Sequence, residues 1–287
     1  MDKINILGTG LSGMVGTRVK QLLSPKFLFE DLSLETGFDI TDYDSVLKTF
    51  AQSQAKTVLH MAAKTDVDSC EDDKILGEEG QAWVVNVEGT RNIVDAAQKT
   101  GKRTIYISTD FVFDGTKDFY TEEDEPNPIN WYAVTKYEGE VLIRSESGNT
   151  IIRIAYPFIN SDFPKKDFAR RLIERFKNGQ KVFGLTDHIF TPTYIDDIAE
   201  ALNLLLTKPF DGIFHVVGSQ SLTPYEASQS IAKLLKFDTS LIVPTTRQEY
   251  FKGRAYRPFK LSLKNDKITG LGVKMRSFEE GLKEFIL

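Results

Sequence analysis

A chain of 287 residues with 41% hydrophobic and 27% charged residues is long enough for one large α/β domain or two unequal lobes, and it excludes a disordered or low-complexity protein. A net charge of −5 with scattered basic residues excludes a nucleic-acid surface or an anionic membrane as partner. The single cysteine, Cys70, excludes an internal disulfide, and no apolar run approaches the roughly 20 residues of a membrane span or follows a leader pattern, so a cytoplasmic protein is expected.

Residues 3–7 read as a short buried strand that enters Gly8-Thr9-Gly10-Leu11-Ser12-Gly13-Met14-Val15-Gly16, after which 17–23 has helical spacing. A strand, a glycine turn and a helix form the usual seat for a dinucleotide. Gly10 permits a sharp turn, Gly13 removes a side chain where backbone must approach a pyrophosphate, and Gly16 lets the helix pack on the strand. The second strand, 27–32, brings Glu30-Asp31 about 20 residues past the first glycine, where a carboxylate can hold a ribose 2′-hydroxyl and disfavour a 2′-phosphate. Asp39-Ile40-Thr41-Asp42 reads as a turn that caps a helix over 43–53, and it can also lie beside an adenine.

A third strand, 57–60, ends at His60 and leads into Met61-Ala62-Ala63, whose small residues permit close approach of a cofactor. No histidine or acid stands at metal-ligand spacing from His60, and no metal site is expected. Glu71-Asp72-Asp73 and Glu78-Glu79 read as solvated helical surface. A long helix is expected over 80–100, with Val84, Val85, Ile93, Val94 and Ala97 as its buried stripe. The fourth strand, 103–107, carries Ser108-Thr109-Asp110 at its carboxyl end, which is where open α/β sheets bind ligands.

After an acidic, proline-rich loop, Asn130 can cap a helix carrying Tyr132 and Lys136. Four residues apart, the phenol and the ammonium share a helix face, and the charge is expected to lower the phenol's pKa toward that of a neutral-pH proton donor. The same spacing recurs at Tyr256 and Lys260, but Pro258 breaks any helix between them. Further strands are expected at 151–154, 181–183 and 212–217. Helices are expected over 168–178, from 194 to about 206, and over 225–236, with a last turn at 281–286. The fold class is therefore α/β, a Rossmann-type doubly wound parallel sheet over 1–155 with a returning segment near 186–206. Residues 156–185 and 207–287 form a smaller substrate lobe.

Gly10-x-x-Gly13-x-x-Gly16, Asn86-Val87-x-Gly89-Thr90, Ser108 to Gly115 and Tyr132-x-x-x-Lys136 resemble the extended short-chain dehydrogenase/reductase superfamily. Glu125-Pro126-Asn127-Pro128, Tyr137-Glu138-Gly139-Glu140, Thr191-Pro192-Thr193-Tyr194 and Arg257-Pro258 are similar, within it, to the dTDP-4-dehydrorhamnose reductase family. The resemblance implies an NAD(H)- or NADP(H)-dependent oxidoreductase of dTDP-rhamnose biosynthesis, acting on a nucleotide-sugar substrate, and a homodimer stays open. It implies that Thr109 hydrogen-bonds the sugar C4 carbonyl, Tyr132 delivers the proton, and Lys136 holds the nicotinamide ribose. Gly10, Gly13, Met14, Val15, Asp31, Asp39, Ile40, Ala62, Ala63, Lys64 and Asn86, with Tyr132 and Lys136, would meet the cofactor; Asp110, Tyr156, Thr191 and Arg257 would meet the substrate. Two positions depart from the family: Tyr156 stands where a tryptophan is common, and Ala133 where a glycine is usual. An epimerase or dehydratase that recycles its nicotinamide, or a non-catalytic subunit like the regulatory subunit of methionine adenosyltransferase, would share these motifs.

Overall fold

In the computed structural model, which describes residues 2–286, strand alternation decides how the core divides. In β1 (Ile4–Thr9), Ile6 faces one side of the sheet and Leu7 the other, and both are fully buried because helices cover both faces. The first half continues through α1 (Met14–Leu23), β2 (Phe27–Leu32), α2 (Tyr43–Gln52), β3 (Thr57–His60), α3 (Val67–Asp73), α4 (Gln81–Trp83), α5 (Gly89–Lys99), β4 (Arg103–Thr109), α6 (Trp131–Arg144) and β5 (Thr150–Ile154). The second half adds β6 (Pro157–Phe158), α7 (Phe168–Lys177), β7 (Val182–Leu185), β8 (Thr193–Tyr194), α8 (Ile195–Thr207), β9 (Gly212–His215), α9 (Pro224–Leu235) and β10 (Ile242–Thr245). It closes with α10 (Arg247–Tyr250), α11 (Asp266–Gly270) and α12 (Phe278–Leu282).

Six strands form one parallel sheet in the order β2-β1-β3-β4-β5-β9, so the expected Rossmann-type α/β fold is present. All six carboxyl ends lie on one edge, and the chain order reverses between β1 and β3, the position at which such sheets open a crevice for a ligand. Val19, Leu202 and Leu205 fill one face of the sheet and Val46, Phe50 and Ile93 the other. A separate aromatic core around Phe158, Phe168, Phe190 and Phe278 builds the second lobe, where β7 pairs with β10 and β6 with β8.

Two expectations need correction, and one strand pair was not expected. Gly212–His215 is the sixth strand of the main sheet, paired with β5, rather than part of the smaller lobe. The short pair β6 and β8 gave no periodic signal, because two residues are too few to alternate. The helix expected over 80–100 is interrupted at Val84–Glu88 by a π-turn. Its extra residue per turn shifts the inward face, so Asn86 and Val87 are buried where Val84 and Val85 are only half-buried.

Candidate active site

The glycine turn is built by contacts that only glycine permits. Gly10 has φ +67°, and a Cβ there would lie 2.6 Å from Ala62 N. A Cβ on Gly16 would lie 2.6 Å from Leu11 Cα, so this glycine seats α1 against the turn. Gly13 differs: it is the N-cap of α1, no side chain caps the helix there, and an added Cβ would meet only Gly10 O, at 3.3 Å. The first-turn N–H groups of α1, beginning with Met14 and Val15, therefore face an open position suited to an anion. At the end of β2, Asp31 accepts from Lys20 Nζ at 2.7 Å through Oδ2, while its buried Oδ1 has no partner among the described residues. A free carboxylate oxygen suits a ribose hydroxyl, and the N–H groups suit a pyrophosphate, so the residues present fit a dinucleotide.

Asp39 shapes its own turn while its exposed carboxylate keeps the other oxygen open. Its Oδ1 accepts from the N–H and hydroxyl of Thr41 at 2.9 and 2.8 Å and forms the turn before α2. Ile40 is buried, and Gly89 makes room for it: a Cβ there would lie 2.6 Å from Ile40 Cδ1. Ala62 and Ala63 are half-buried at the carboxyl end of β3.

Asn86 fixes the segment after β3. Its Oδ1 accepts from Lys64 N at 2.8 Å, and its Nδ2 donates to Lys64 O and to Thr135 Oγ1 of α6, both at 3.0 Å. The π-turn that points Asn86 inward thus ties the β3 loop to the helix bearing Tyr132. Lys64 Nζ is itself bound to Asp73 at 2.5 Å. His60 is a structural histidine: Nδ1 lies 2.7 Å from Thr9 Oγ1 and Nε2 3.0 Å from Thr90 Oγ1. Thr9 Oγ1 already accepts from Met61 N and Ala62 N, so its hydrogen goes to Nδ1 and the imidazole donates from Nε2. Burial pushes the imidazole pKa down to about 3. Among the described residues no cluster of three or more metal-ligating side chains occurs.

The carboxyl end of β4 and the start of α6 bring Thr109 and Tyr132 together. Asn130 caps α6 as expected, its Oδ1 accepting from Ala133 N at 2.9 Å. Tyr132 is buried and packs edge-on against Phe111. Its pKa is raised, first by burial and then by the nearby Asp110 and Cys70, while Thr109 acts in the opposite direction. The expected lowering by Lys136 is therefore corrected: Lys136 Nζ donates to Ile107 O at 2.9 Å and lies 4.0 Å from the centre of the Tyr106 ring. Burial also lowers the Lys136 pKa to about 7, against the raising influence of Glu140 one turn along. A protonated phenol is nonetheless the form that a proton donor needs.

Around this pair stand the residues expected on the substrate side. Asp110 is 2% exposed, and burial raises its carboxyl pKa to about 7. Its charge acts on both Tyr132 and Tyr156, which places all three in one neighbourhood. Tyr156 follows β5 with φ +40°, an unfavourable backbone for a residue with a side chain. Its hydroxyl meets His188 Nε2 at 3.1 Å, and His188 Nδ1 meets Pro258 O at 2.8 Å. A carbonyl can only accept, so Nδ1 carries the hydrogen and the Tyr156 hydroxyl donates to Nε2.

Arg257 makes its hydrogen bonds through Nη1, to Asp68 at 2.5 Å and Ala255 O at 2.6 Å. The remaining two nitrogens leave the expected phosphate contact open. Thr191 is corrected: it is 1% exposed, donates to Leu261 O at 2.9 Å, accepts from Leu263 N at 3.2 Å and meets Ser221 Oγ, so its hydroxyl is consumed in the interior.

Sequence reasoning missed Glu71 and His188. Glu71 is not simply solvated: its Oε2 accepts from Trp131 N, at 2.7 Å, at the start of α6. Neither contact leaves a local signature, since the partners are tens of residues apart. Under α6, Glu140 and Arg153 form a fully buried two-bond ion pair at 2.9 and 2.7 Å. Tyr137-Glu138-Gly139-Glu140 had been singled out only as part of a resemblance.

Fold and site together define an extended short-chain dehydrogenase/reductase, an oxidoreductase class built around a nicotinamide dinucleotide. The chain belongs to the family described as RmlD substrate binding domain, whose model matches residues 4–287. It is 29% identical to the spore coat polysaccharide biosynthesis protein SpsK of Bacillus subtilis (strain 168), covering 98% of this chain and 96% of that one. It is likewise 29% identical to methionine adenosyltransferase 2 subunit beta of Mus musculus, over 86% of this chain and 74% of that one. Among solved structures it is similar to the dTDP-4-dehydrorhamnose reductase of Bacillus anthracis str. Ames in complex with NADP. That match has a TM-score of 0.89 and 28% identity, and it covers 99% of both chains.

Proposed function

We propose that this chain reduces the 4-keto group of a nucleotide-linked 6-deoxy sugar with NADH or NADPH. The observation that carries the reading is the buried meeting of Thr109 and Tyr132 at the carboxyl end of β4, on the same sheet edge as the glycine turn. Once bound, the nicotinamide supplies the hydride. Tyr132 gives its proton to the oxygen that becomes an alkoxide, and Thr109 hydrogen-bonds that oxygen and resists the build-up of charge elsewhere. Lys136 holds the nicotinamide ribose, the N-terminus of α1 holds the pyrophosphate, and Asp31 meets the adenosine ribose. Lys20 offsets the charge of Asp31, which supports tolerance of a 2′-phosphate as well as a 2′-hydroxyl. In this reading residues 1–155, α8 and β9 serve the dinucleotide, the stretch before α8 belongs with Phe158 and Phe168 in the second lobe, and that lobe serves the sugar nucleotide.

Similarity to the dTDP-4-dehydrorhamnose reductase of Bacillus anthracis str. Ames supports this substrate class. The test is to incubate the protein with dTDP-linked 4-keto-6-deoxy sugars and follow the absorbance of NADH or NADPH. Oxidation of the cofactor is expected; none with any sugar nucleotide refutes the reading. The likeness to methionine adenosyltransferase 2 subunit beta favours a second reading, a nucleotide-binding subunit without turnover. On that reading Tyr132→Phe leaves biological activity intact.

A further inference from the structure

Thr109 has one hydrogen to give, and in the geometry observed it is already committed. Its Oγ1 accepts from Phe111 N at 3.2 Å and lies 3.0 Å from Asp110 Oδ1. If Asp110 is a carboxylate, it can only accept, so the Thr109 hydrogen must point at it. The threonine then keeps one lone pair for Tyr132 or a ligand and has nothing to donate to a carbonyl oxygen. Asp110 is itself in an unusual position: it is 2% exposed, and its Oδ2 is buried with no partner among the described residues. A buried carboxylate with one oxygen unpartnered is costly; the Thr109 hydroxyl and the Asp110 and Phe111 N–H groups favour the charged form, but burial outweighs them, and a carboxylic acid removes the charge.

We propose that Asp110 works as the neutral acid, donating from its carboxyl group to Thr109 Oγ1 and so turning the threonine's single hydrogen outward, toward the substrate carbonyl. The 3.0 Å contact serves either direction of donation, and reversing it fills Thr109 with two accepted bonds and one donated outward. Asp110 is thus a positioning residue that acts through Thr109. This inference rests on the reductase reading of the site.

The groups facing Asp110 agree with a neutral acid. From α6 comes the Tyr132 phenol and from the segment after β5 the Tyr156 phenol, both uncharged because burial raises their pKa values. Cys70 of α3, also acting on Tyr132, is an uncharged thiol with its pKa raised to about 11. His188, the partner of Tyr156, is neutral with its pKa lowered to about 4. The cations that act on these neighbours, Arg257 on Tyr156 and Lys64 on Cys70, are paired with Asp68 and Asp73. Burial accordingly sets the Asp110 carboxyl near 7, so the neutral form dominates below neutrality and is lost above it.

Two measurements test the proposal together. The first is the infrared difference spectrum of wild type minus Asp110→Asn, which reads the carboxyl group without need of turnover. A protonated-carboxyl band in mildly acidic solution that disappears in alkali is expected; its absence at every pH overturns the proposal. The second is the pH profile of kcat. Wild-type kcat is expected to fall about tenfold per unit above the Asp110 pKa. In Asp110→Asn, whose amide donates permanently to Thr109, the Asp110 step of the alkaline limb should vanish and leave the shallower fall due to Lys136, at a cost of no more than about tenfold in mild acid. Asp110→Ala, with no donor, should lose about a hundredfold or more throughout. Cofactor binding, measured by fluorescence, checks that each variant is folded. An alkaline limb that persists unmoved in Asp110→Asn overturns the proposal, as does a raised KM with an unmoved profile, which would make Asp110 an acceptor for a substrate hydroxyl. If the band is present but no sugar nucleotide is reduced, the reductase reading and the outward role of Thr109 fall, while the neutral acid stands.

Discussion

Three glycines of the opening turn carry separable loads, and alanine at each separates them. At Gly10, alanine must adopt φ +67°, which costs about 1–2 kcal/mol, and its Cβ would stand 2.6 Å from Ala62 N, main-chain density that cannot swing away. Adding about 1–3 kcal/mol for overpacking, Gly10→Ala should cost about 2–5 kcal/mol and lower Tm by roughly 5–15 °C. Gly16→Ala meets Leu11 Cα at 2.6 Å and Gly10 O at 2.7 Å without a φ penalty, so about 1–3 kcal/mol is expected. Gly13→Ala meets only Gly10 O at 3.3 Å, and the poorer cap is offset by reduced chain entropy, so stability should move by less than about 1 kcal/mol. Its methyl instead enters the position argued to hold the pyrophosphate, and NADPH should bind about tenfold to a hundredfold more weakly. Thermal denaturation and isothermal titration with NADH and NADPH read the two quantities independently. The reasoning fails if Gly13→Ala binds both cofactors as tightly as wild type, or if it melts as early as Gly10→Ala.

Tyr132→Phe should reduce kcat by about a hundredfold or more while leaving cofactor affinity within about twofold, as measured by steady-state kinetics beside a binding titration. Arg153→Met strands the Glu140 carboxylate in a site with no solvent access, and a loss of about 3–5 kcal/mol is expected in chemical denaturation; the double variant with Glu140→Leu should recover most of it. Acid should weaken the fold between about pH 6 and 5, by about 1 kcal/mol per pH unit. His60, His188 and His215 have folded pKa values lowered to about 3, 4 and 3, so their contribution is complete above the unfolded value and is lost as pH falls. Asp110 and Asp197, raised to about 7 and 6, act oppositely, because they favour the fold below those values; three protons gained by the unfolded chain against two by the folded leave a net of about one. Denaturant midpoints at the two pH values measure this, and greater stability at the lower pH would contradict it.

Much of the architecture was legible because it rests on local rules. β2 and β3 fell where their apolar runs placed them, and Asp42 and Asn130 start α2 and α6 with the side-chain caps that their residue types allow. What could not be read depends on partners far along the chain. β9 is a four-residue strand, and only its register against β5 assigns it to the main sheet. The π-turn at Val84–Glu88 breaks the 3.6-residue period on which the buried stripe was counted, so Asn86 turned inward without warning from periodicity.

For the site, spacing put Tyr132 and Lys136 on one helix, as the fold does, but with the wrong electrostatics. A shared face fixes neither where a flexible ammonium points nor how far each group is from water. Lys136 finds a carbonyl on β4 to bond, and burial acts on phenol and ammonium alike, raising one pKa and lowering the other. Both shifts favour neutral forms, as they do at Asp110 and the three histidines. The pocket therefore presents hydrogens that are held by position rather than charges that attract, and the direction of each hydroxyl becomes the controlling variable. Thr109 and Tyr156 show the two outcomes: Tyr156 spends its hydrogen on His188, whereas the hydrogen of Thr109 is free only when its neighbour is an acid. A one-dimensional sequence lists such hydroxyls but cannot orient them, because orientation is set by acceptors such as Pro258 O and Asp110 that the fold delivers from other elements.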